Sequence, residues 1–132
     1  MKKEVPAKVE GESKAAHRQQ EAAVASALHA WAAAWSSQDV TRYLGYYSMQ
    51  FKPADGTSRK DWEKVRTQRL RAPRFIQVQL SDVKVDMQDG GTAKVSFKQV
   101  YKSSSISSTG KKNLLMKQEA GAWRILQELF DG

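Results

Sequence analysis

The chain reads as two regimes of hydrophobic periodicity, a helical one followed by an alternating one. Residues 14–37 are alanine-rich and hold no glycine or proline, a composition that favours helix. At 100° per residue, Val24, Leu28, Trp31 and Trp35 fall on one narrow stripe. His17 and Gln20 extend it toward the start, and His29 lies off it. Ser36-Ser37-Gln38-Asp39 breaks the pattern, and Asp39 is a suitable N-cap for a short second helix with Val40, Tyr43, Leu44 and Tyr47 on one side. The Asp55-Gly56 pair predicts a small hairpin over residues 51–57. The spacing Ser58-x-x-Asp61 opens a third helix as a variant of the capping box, and Pro73 ends it by pushing its predecessor out of helical geometry.

From residue 75 the period changes to two. Residues 75–87 alternate Ile, Val and Leu with polar positions, and Asp89-Gly90-Gly91 marks a turn. Residues 92–102 place Val95, Phe97, Gln99 and Tyr101 on one face and Ser96, Lys98, Val100 and Lys102 on the other. The serine-rich stretch 103–110 predicts a loop, 111–119 a third strand, Ala120-Gly121 a turn, and 122–130 a last strand with Trp123 and Ile125 on one face. Helices first and strands second give an α+β class. Strands joined by short turns pair antiparallel, so three N-terminal helices are expected to pack on a curved antiparallel sheet. Residues 1–13 lack periodicity and contain Pro6 and Gly11, which predicts a flexible tail or linker ahead of a single domain over residues 14–132.

Composition narrows the chemistry. With 132 residues, one domain can bury a core without cross-links. The absence of cysteine excludes a disulfide scaffold, a zinc finger, an iron–sulfur site and a cysteine nucleophile. Two histidines cannot supply the usual structural zinc site, so neither metal nor cofactor is expected. No apolar run approaches the roughly 20 residues of a membrane span, and the sequence as it stands carries no signal-peptide pattern. The net charge is +8. Residues 58–74 alone carry seven basic and two acidic side chains. No RNA-binding aromatic signature or helix-turn-helix pattern accompanies them, so most read as solvated surface and nucleic acid is not expected as a partner.

Several short patterns, in this order, resemble the nuclear transport factor 2-like superfamily. They are Trp31-x-x-x-Trp35-Ser36-x-x-Asp39, Tyr43-x-x-x-Tyr47-x-x-x-Phe51, Ser58-Arg59-x-x-Trp62 and Arg66-x-x-Arg69-Leu70-x-x-Pro73. Phe97-x-Gln99-x-Tyr101-x-Ser103 and Trp123-x-Ile125-x-x-Glu128 complete the set. Together they are similar to the domain that accompanies L,D-transpeptidase-like or tetratricopeptide segments in bacterial envelope proteins. The resemblance implies a cone-shaped α+β fold with a central pocket. It also implies a bacterial protein, periplasmic or envelope-associated rather than cytoplasmic. The superfamily contains ketosteroid isomerases, polyketide cyclases and dehydratases beside many binding and dimerisation modules, and fold alone does not choose between them.

The third helix carries the candidate chemistry. With Trp62 at 0°, Arg69 lies at about −20°, Arg66 at about +40° and Val65 at about −60°, so two arginines share the inward stripe. Lys60, Lys64 and Arg71 point away. An inward arginine needs a partner, and Glu128 is the expected one. The arginines either serve that internal pair, with their stems on tryptophan, or present planar donors to an anionic ligand. Tyr43, Tyr47, Trp62, Phe97, Gln99, Tyr101 and Trp123 are the expected remaining lining of the pocket. An isomerase would need an internal base. Glu128, held by two arginines, is a poor one, and a Tyr–His arrangement using His17 with Tyr43 or Tyr47 is the alternative. The sequence therefore leans toward a non-catalytic domain that binds a small anionic or apolar ligand or pairs as a homodimer through the outer sheet face. A small cyclase, isomerase or dehydratase is the alternative.

Overall fold

The computed structural model describes residues 4–129, with side chains from residue 16 onward. Its elements are α1 (Glu4–Ser36), α2 (Val40–Gly45), α3 (Arg59–Arg71), β1 (Ile76–Gln88), β2 (Thr92–Ser103), β3 (Ser107–Glu119) and β4 (Ala122–Leu129). The four strands form one antiparallel meander in the order β1-β2-β3-β4, open at its edges, with the three helices on one face. None of the described helices is long and apolar enough to cross a membrane.

α1 begins at Glu4, ten residues ahead of the expected start, and runs through Pro6 and Gly11. Proline is tolerated in a first helical turn because the amide it lacks has no intrahelical acceptor there. An interior glycine costs about 1 kcal/mol relative to alanine, which the flanking helix formers offset. The buried stripe is the expected one, with Val24, Leu28 and Trp31 fully covered. His17 and Gln20 are exposed, so the stripe's inward role does not reach the start of the helix. Residues 1–3 of the expected tail and Phe130 of the expected last strand lie outside the described residues.

Asp39 caps α2 by accepting from the Arg42 amide, and Ser58 caps α3 by accepting from the Asp61 amide. α3 ends at a cap on Ala72, directly before Pro73, but Ala72 keeps helical dihedrals (φ −67°, ψ −44°), so the proline stops the helix through its missing amide and not, as expected, by pushing its predecessor out of helical geometry. The expected hairpin over 51–57 is instead an irregular loop. Phe51 anchors in the core, and Asp55 Oδ1 accepts from the Thr57 amide at 3.0 Å, so the segment folds back on itself rather than pairing as strands. Tyr47 leaves helical geometry and bridges to Ile125. The Ser48 amide donates to the Ile125 carbonyl at 2.8 Å and the Ile125 amide to the Tyr46 carbonyl at 2.7 Å, which covers the free edge of β4. At the other end of the helical layer, Gln38 Nε2 donates to the carbonyls of Leu70 and Pro73, at 2.7 and 2.8 Å. It thereby ties the α1–α2 turn to the end of α3.

The β2–β3 loop is much shorter than the expected 103–110. Ser103 Oγ accepts from the amides of Ser105 and Ile106, reversing the chain tightly, and β3 is already paired from Ser107. Two bulges break strict alternation. In β1, Asp82 sits at φ 52° between the register points Ser81 and Lys84, and the inward set changes from Ile76, Val78 and Leu80 to Val83, Val85 and Met87. In β4 the register shifts beside Leu126, so that Ile125 faces Met116 while Glu128 faces Leu114. Met116 and Leu114 are both buried on the inner face. The bulge therefore turns Glu128 inward, where unbroken alternation from Trp123 and Ile125 would have sent it outward.

Candidate functional site

A chain of polar contacts crosses the core beneath α3. Arg66 Nη2 donates to Glu128 Oε1 at 2.7 Å, and Arg66 Nη1 donates to the Tyr43 hydroxyl at 2.6 Å. The Tyr47 hydroxyl donates to Glu128 Oε2 at 2.9 Å and accepts from Trp31 Nε1 at 3.3 Å. Tyr43 and Tyr47 hydroxyls lie 3.1 Å apart. The Arg66 guanidinium also sits 5.1 Å from the Trp62 ring centroid, a cation–π contact. Both Glu128 oxygens and the inner edge of Arg66 are thus occupied by protein groups. The internal Arg–Glu pair matches the first of the two sequence expectations for Arg66, with the guanidinium rather than the stem resting on tryptophan.

Arg69 behaves differently. The inward stripe of α3 is Trp62, Arg66 and Leu70, spaced by four, and its centre lies at about +40° rather than at Trp62. Arg69 is consequently displaced to the exposed flank, and Val65 further still, at 43% exposure. None of the ion pairs among the described residues involves Arg69.

A cavity of about 580 Å³ opens on one side of the Arg66 wall. Trp35, Tyr43 and Tyr101 supply aromatic surface, Leu70 and Ile106 apolar surface, and Ser103, Ser105 and Ser108 hydroxyls. Its charged lining consists of Arg66, Arg69 and Lys112, without a carboxylate. Gln99, 7% exposed, also lines it, and its Oε1 has no hydrogen-bond partner among the described residues. A smaller cleft of about 200 Å³ lies on the other side, lined by Asp55, Asp61, Trp62, Arg66, Arg69 and Glu128 among others. Of the expected pocket residues, Tyr43, Arg66, Arg69, Gln99 and Tyr101 meet at the larger cavity, and Trp62 and Glu128 at the smaller. Tyr47, Phe97 and Trp123 line neither. They are 2%, 2% and 5% exposed and belong to the core, Tyr47 between the rings of Tyr43, Phe51 and Trp62 and Phe97 against Trp31. His17 is exposed and, at 1.5 Å per residue, about 21 Å along α1 from Trp31, so it cannot form a dyad with either tyrosine.

Lys112 is the residue that sequence reading missed. It falls inside the expected strand 111–119, to which no face was assigned, although the alternation Lys112-x-Leu114-x-Met116 carries the signal. It pairs with Phe97 across the strands and shares its inward face. Gly110, directly opposite Gln99, leaves open space where a side chain would stand. Burial pulls the Lys112 amine below the ordinary lysine range. Glu128 opposes that pull and Arg66 adds to it. Burial raises both phenols, Tyr47 well above the usual value, so they stay protonated donors. Burial also pulls Arg66 down, but Tyr43, Tyr47 and Glu128 outweigh it and hold the guanidinium firmly charged. Among the described residues there is no group of three or more His, Asp or Glu side chains that could hold a metal.

Residues 23–129 match the model of the Cds6 C-terminal NTF2-like domain. The chain belongs to that family. Curated proteins give no match. Among solved structures, this NTF2-like domain is similar to Bd1075 of Bdellovibrio bacteriovorus, with 24% identity and a TM-score of 0.69. That match covers 77% of this chain and 36% of the other. It is similar also to the helical cell shape determining protein Pgp2 of Campylobacter jejuni, with 22% identity and a TM-score of 0.66, covering 78% and 38%. The chain therefore spans little more than a third of those proteins. A candidate dehydratase of the NTF2-like family from Streptomyces avermitilis, 15% identical with a TM-score of 0.71, is covered over 94% of its length, against 85% of this chain. At these identities the likeness establishes the fold.

The two arginines separate in a denaturation experiment. Arg66→Ala leaves Glu128 inward without its ion-pair partner and is expected to cost about 2–4 kcal/mol, because the pair is largely but not fully shielded from water. Arg69→Ala is expected to stay within about 0.5 kcal/mol. Urea unfolding curves of the two variants check this, and equal losses would contradict the geometry. The raised phenols set a second expectation. A phenol with a raised folded-state pKa contributes stability that is complete below the unfolded value of about 10 and lost as pH rises past it. Unfolding free energy should therefore fall between about pH 9 and 11, and Tyr47→Phe should make that fall shallower.

Proposed function

We propose that this domain is a non-catalytic binding module that holds a small organic anion in the 580 Å³ cavity, within a bacterial envelope-associated protein. The observation that carries this reading is the cavity's charge. Arg66, Arg69 and Lys112 contribute to its wall and no carboxylate does, while aromatic rings and serines supply the rest. Arg66 is neutralised by Glu128, so Arg69 and Lys112 provide the attraction. A proton-abstracting enzyme of the isomerase or dehydratase kind would need a base facing the ligand. Glu128 does not line this cavity and both its oxygens are engaged, and His17 is far from it. The likeness to a helical cell shape determining protein supports an envelope setting.

Small carboxylates should raise the melting temperature by mass action, with a shift that grows with concentration. Arg69→Ala should abolish the shift with little effect on the unliganded protein. Gly110→Leu, which fills open space on the inner face, should do the same. Turnover of enolisable ketones by the wild type would overturn the non-catalytic reading in favour of the cyclase, isomerase or dehydratase one.

The reading includes a homodimer through the outer sheet face. Lys84, Lys94, Lys98, Lys102 and Lys111 are exposed there, and Lys98 stands directly opposite Lys111. Like charges facing one another oppose association and are screened by salt. The dimer should therefore tighten as ionic strength rises from about 0.01 to about 1 M, measured by light scattering. A mass of 14.8 kDa at every salt concentration would exclude it.

A further inference from the structure

Lys112 is placed for more than attraction. It projects from β3 on the inner face, opposite Phe97, into the wall of the larger cavity. Among the described residues its side-chain amine makes no hydrogen bond or ion pair, although a carboxylate stands on the neighbouring strand. Glu128 faces Leu114, two residues along from Lys112, but its oxygens are taken by Arg66 and Tyr47. An amine that is half-buried, deprived of an acceptor and close to a fixed guanidinium meets the conditions under which lysine becomes a nucleophile. Gln99 Oε1, more than nine-tenths buried and without a partner, lies diagonally across the strand pair from Lys112, because Gln99 pairs with Gly110 and Phe97 with Lys112.

We propose that Lys112 captures a 2-oxo acid covalently, as an imine, with Arg69 holding the ligand's carboxylate and Gln99 accepting from the intermediate's hydroxyl. The nitrogen lone pair adds to the carbonyl carbon, a C–N bond forms, and the carbonyl π pair moves to oxygen. That oxygen takes one of the two protons from the now cationic nitrogen, giving a neutral carbinolamine. Loss of the hydroxyl as water, together with the remaining nitrogen proton, leaves C=N. Water is the only leaving group, nothing is oxidised or reduced, and hydrolysis returns both partners. The aromatic walls at Trp35 and Tyr101, with Ile106 at the rim, favour a 2-oxo acid with an apolar side chain over pyruvate. The proposal rests on the anion-binding reading of the cavity.

Two compounds separate the two claims. 4-Methyl-2-oxopentanoate carries the carbonyl, and 4-methyl-2-hydroxypentanoate keeps the carboxylate and side chain without it. With the oxo acid at limiting concentration and cyanoborohydride present, the label should concentrate on Lys112, by about tenfold over any other lysine in peptide mass mapping. Lys112→Arg and Lys112→Met should lose that label. Gly110→Leu should suppress it without altering the lysine. Circular dichroism establishes that each variant is folded, and Lys112→Arg keeps the charge if Lys112→Met does not fold. Label spread evenly over surface lysines, or unchanged in Lys112→Arg, overturns the imine. If the hydroxy acid still raises the melting temperature, the cavity reading survives that failure. If Lys112 is labelled while the hydroxy acid has no thermal effect, the anion reading fails and the reactive amine stands.

Discussion

A largely buried guanidinium organises this domain. Arg66 occupies the centre of the inward stripe of α3, and a charge in that position must be paired and hydrogen-bonded or it destabilises the fold. Every neighbouring element contributes to meeting that demand. α2 brings Tyr43, the 46–51 segment brings Tyr47, and β4 brings Glu128, with Trp31 of α1 completing the contacts at Tyr47. Removing any one member strands another polar group in a region largely shielded from water, so the elements are coupled through their unmet hydrogen-bonding capacity as well as through apolar burial.

The aromatic packing around this centre makes the coupling rigid. Tyr47, Phe51 and Trp62 have ring centroids 4.6 to 4.9 Å apart, and Trp31, Trp35 and Tyr43 form a second group at 5.4 to 6.3 Å. Such pairs add about 0.5–1.5 kcal/mol each beyond their burial. They also fix the orientation of the hydroxyls that Arg66 and Glu128 require. The consequence for function is a division of labour among the cations. Arg66 is consumed by structure and forms a wall between two cavities, which leaves Arg69 and Lys112 to set the character of the larger one.

Elements and their faces were legible in the chain wherever one physical signal dominated. The Val24–Trp35 stripe, the caps at Asp39 and Ser58, the stop before Pro73, and the inward set Val95, Phe97, Gln99 and Tyr101 all follow from local stereochemistry or from period, and each is found where periodicity puts it. Reading failed where two signals competed. Serines at 103–110 suggested a loop, but Ser107 and its successors already pair with β2, because a paired backbone tolerates small polar side chains. Lys112 lies inside the expected strand 111–119, but no face was assigned to that strand, so its inward position went unnoticed. The α3 wheel was centred on its most hydrophobic residue, whereas burial of Leu70 moves the centre to Arg66 and leaves Arg69 at the surface.

Periodicity, capping chemistry and composition determined, by themselves, the α+β class, the order of elements, the antiparallel pairing and the lack of any cysteine chemistry. These depend on neighbours in sequence and on residue type. Only the tertiary structure decided which arginine is paired and which has no ion-pair partner among the described residues, because a wheel gives angles but not the depth of the partner surface. Glu128 was the expected partner from its place in the fold, but only the tertiary structure shows how it turns inward, since Leu126 is an extra residue in β4 that inverts the face of everything after it. The cavity's unbalanced charge belongs to the same class of fact. It arises where the end of α3, the inner faces of β2 and β3 and the loop joining those strands converge, and no local stretch of the chain contains that meeting.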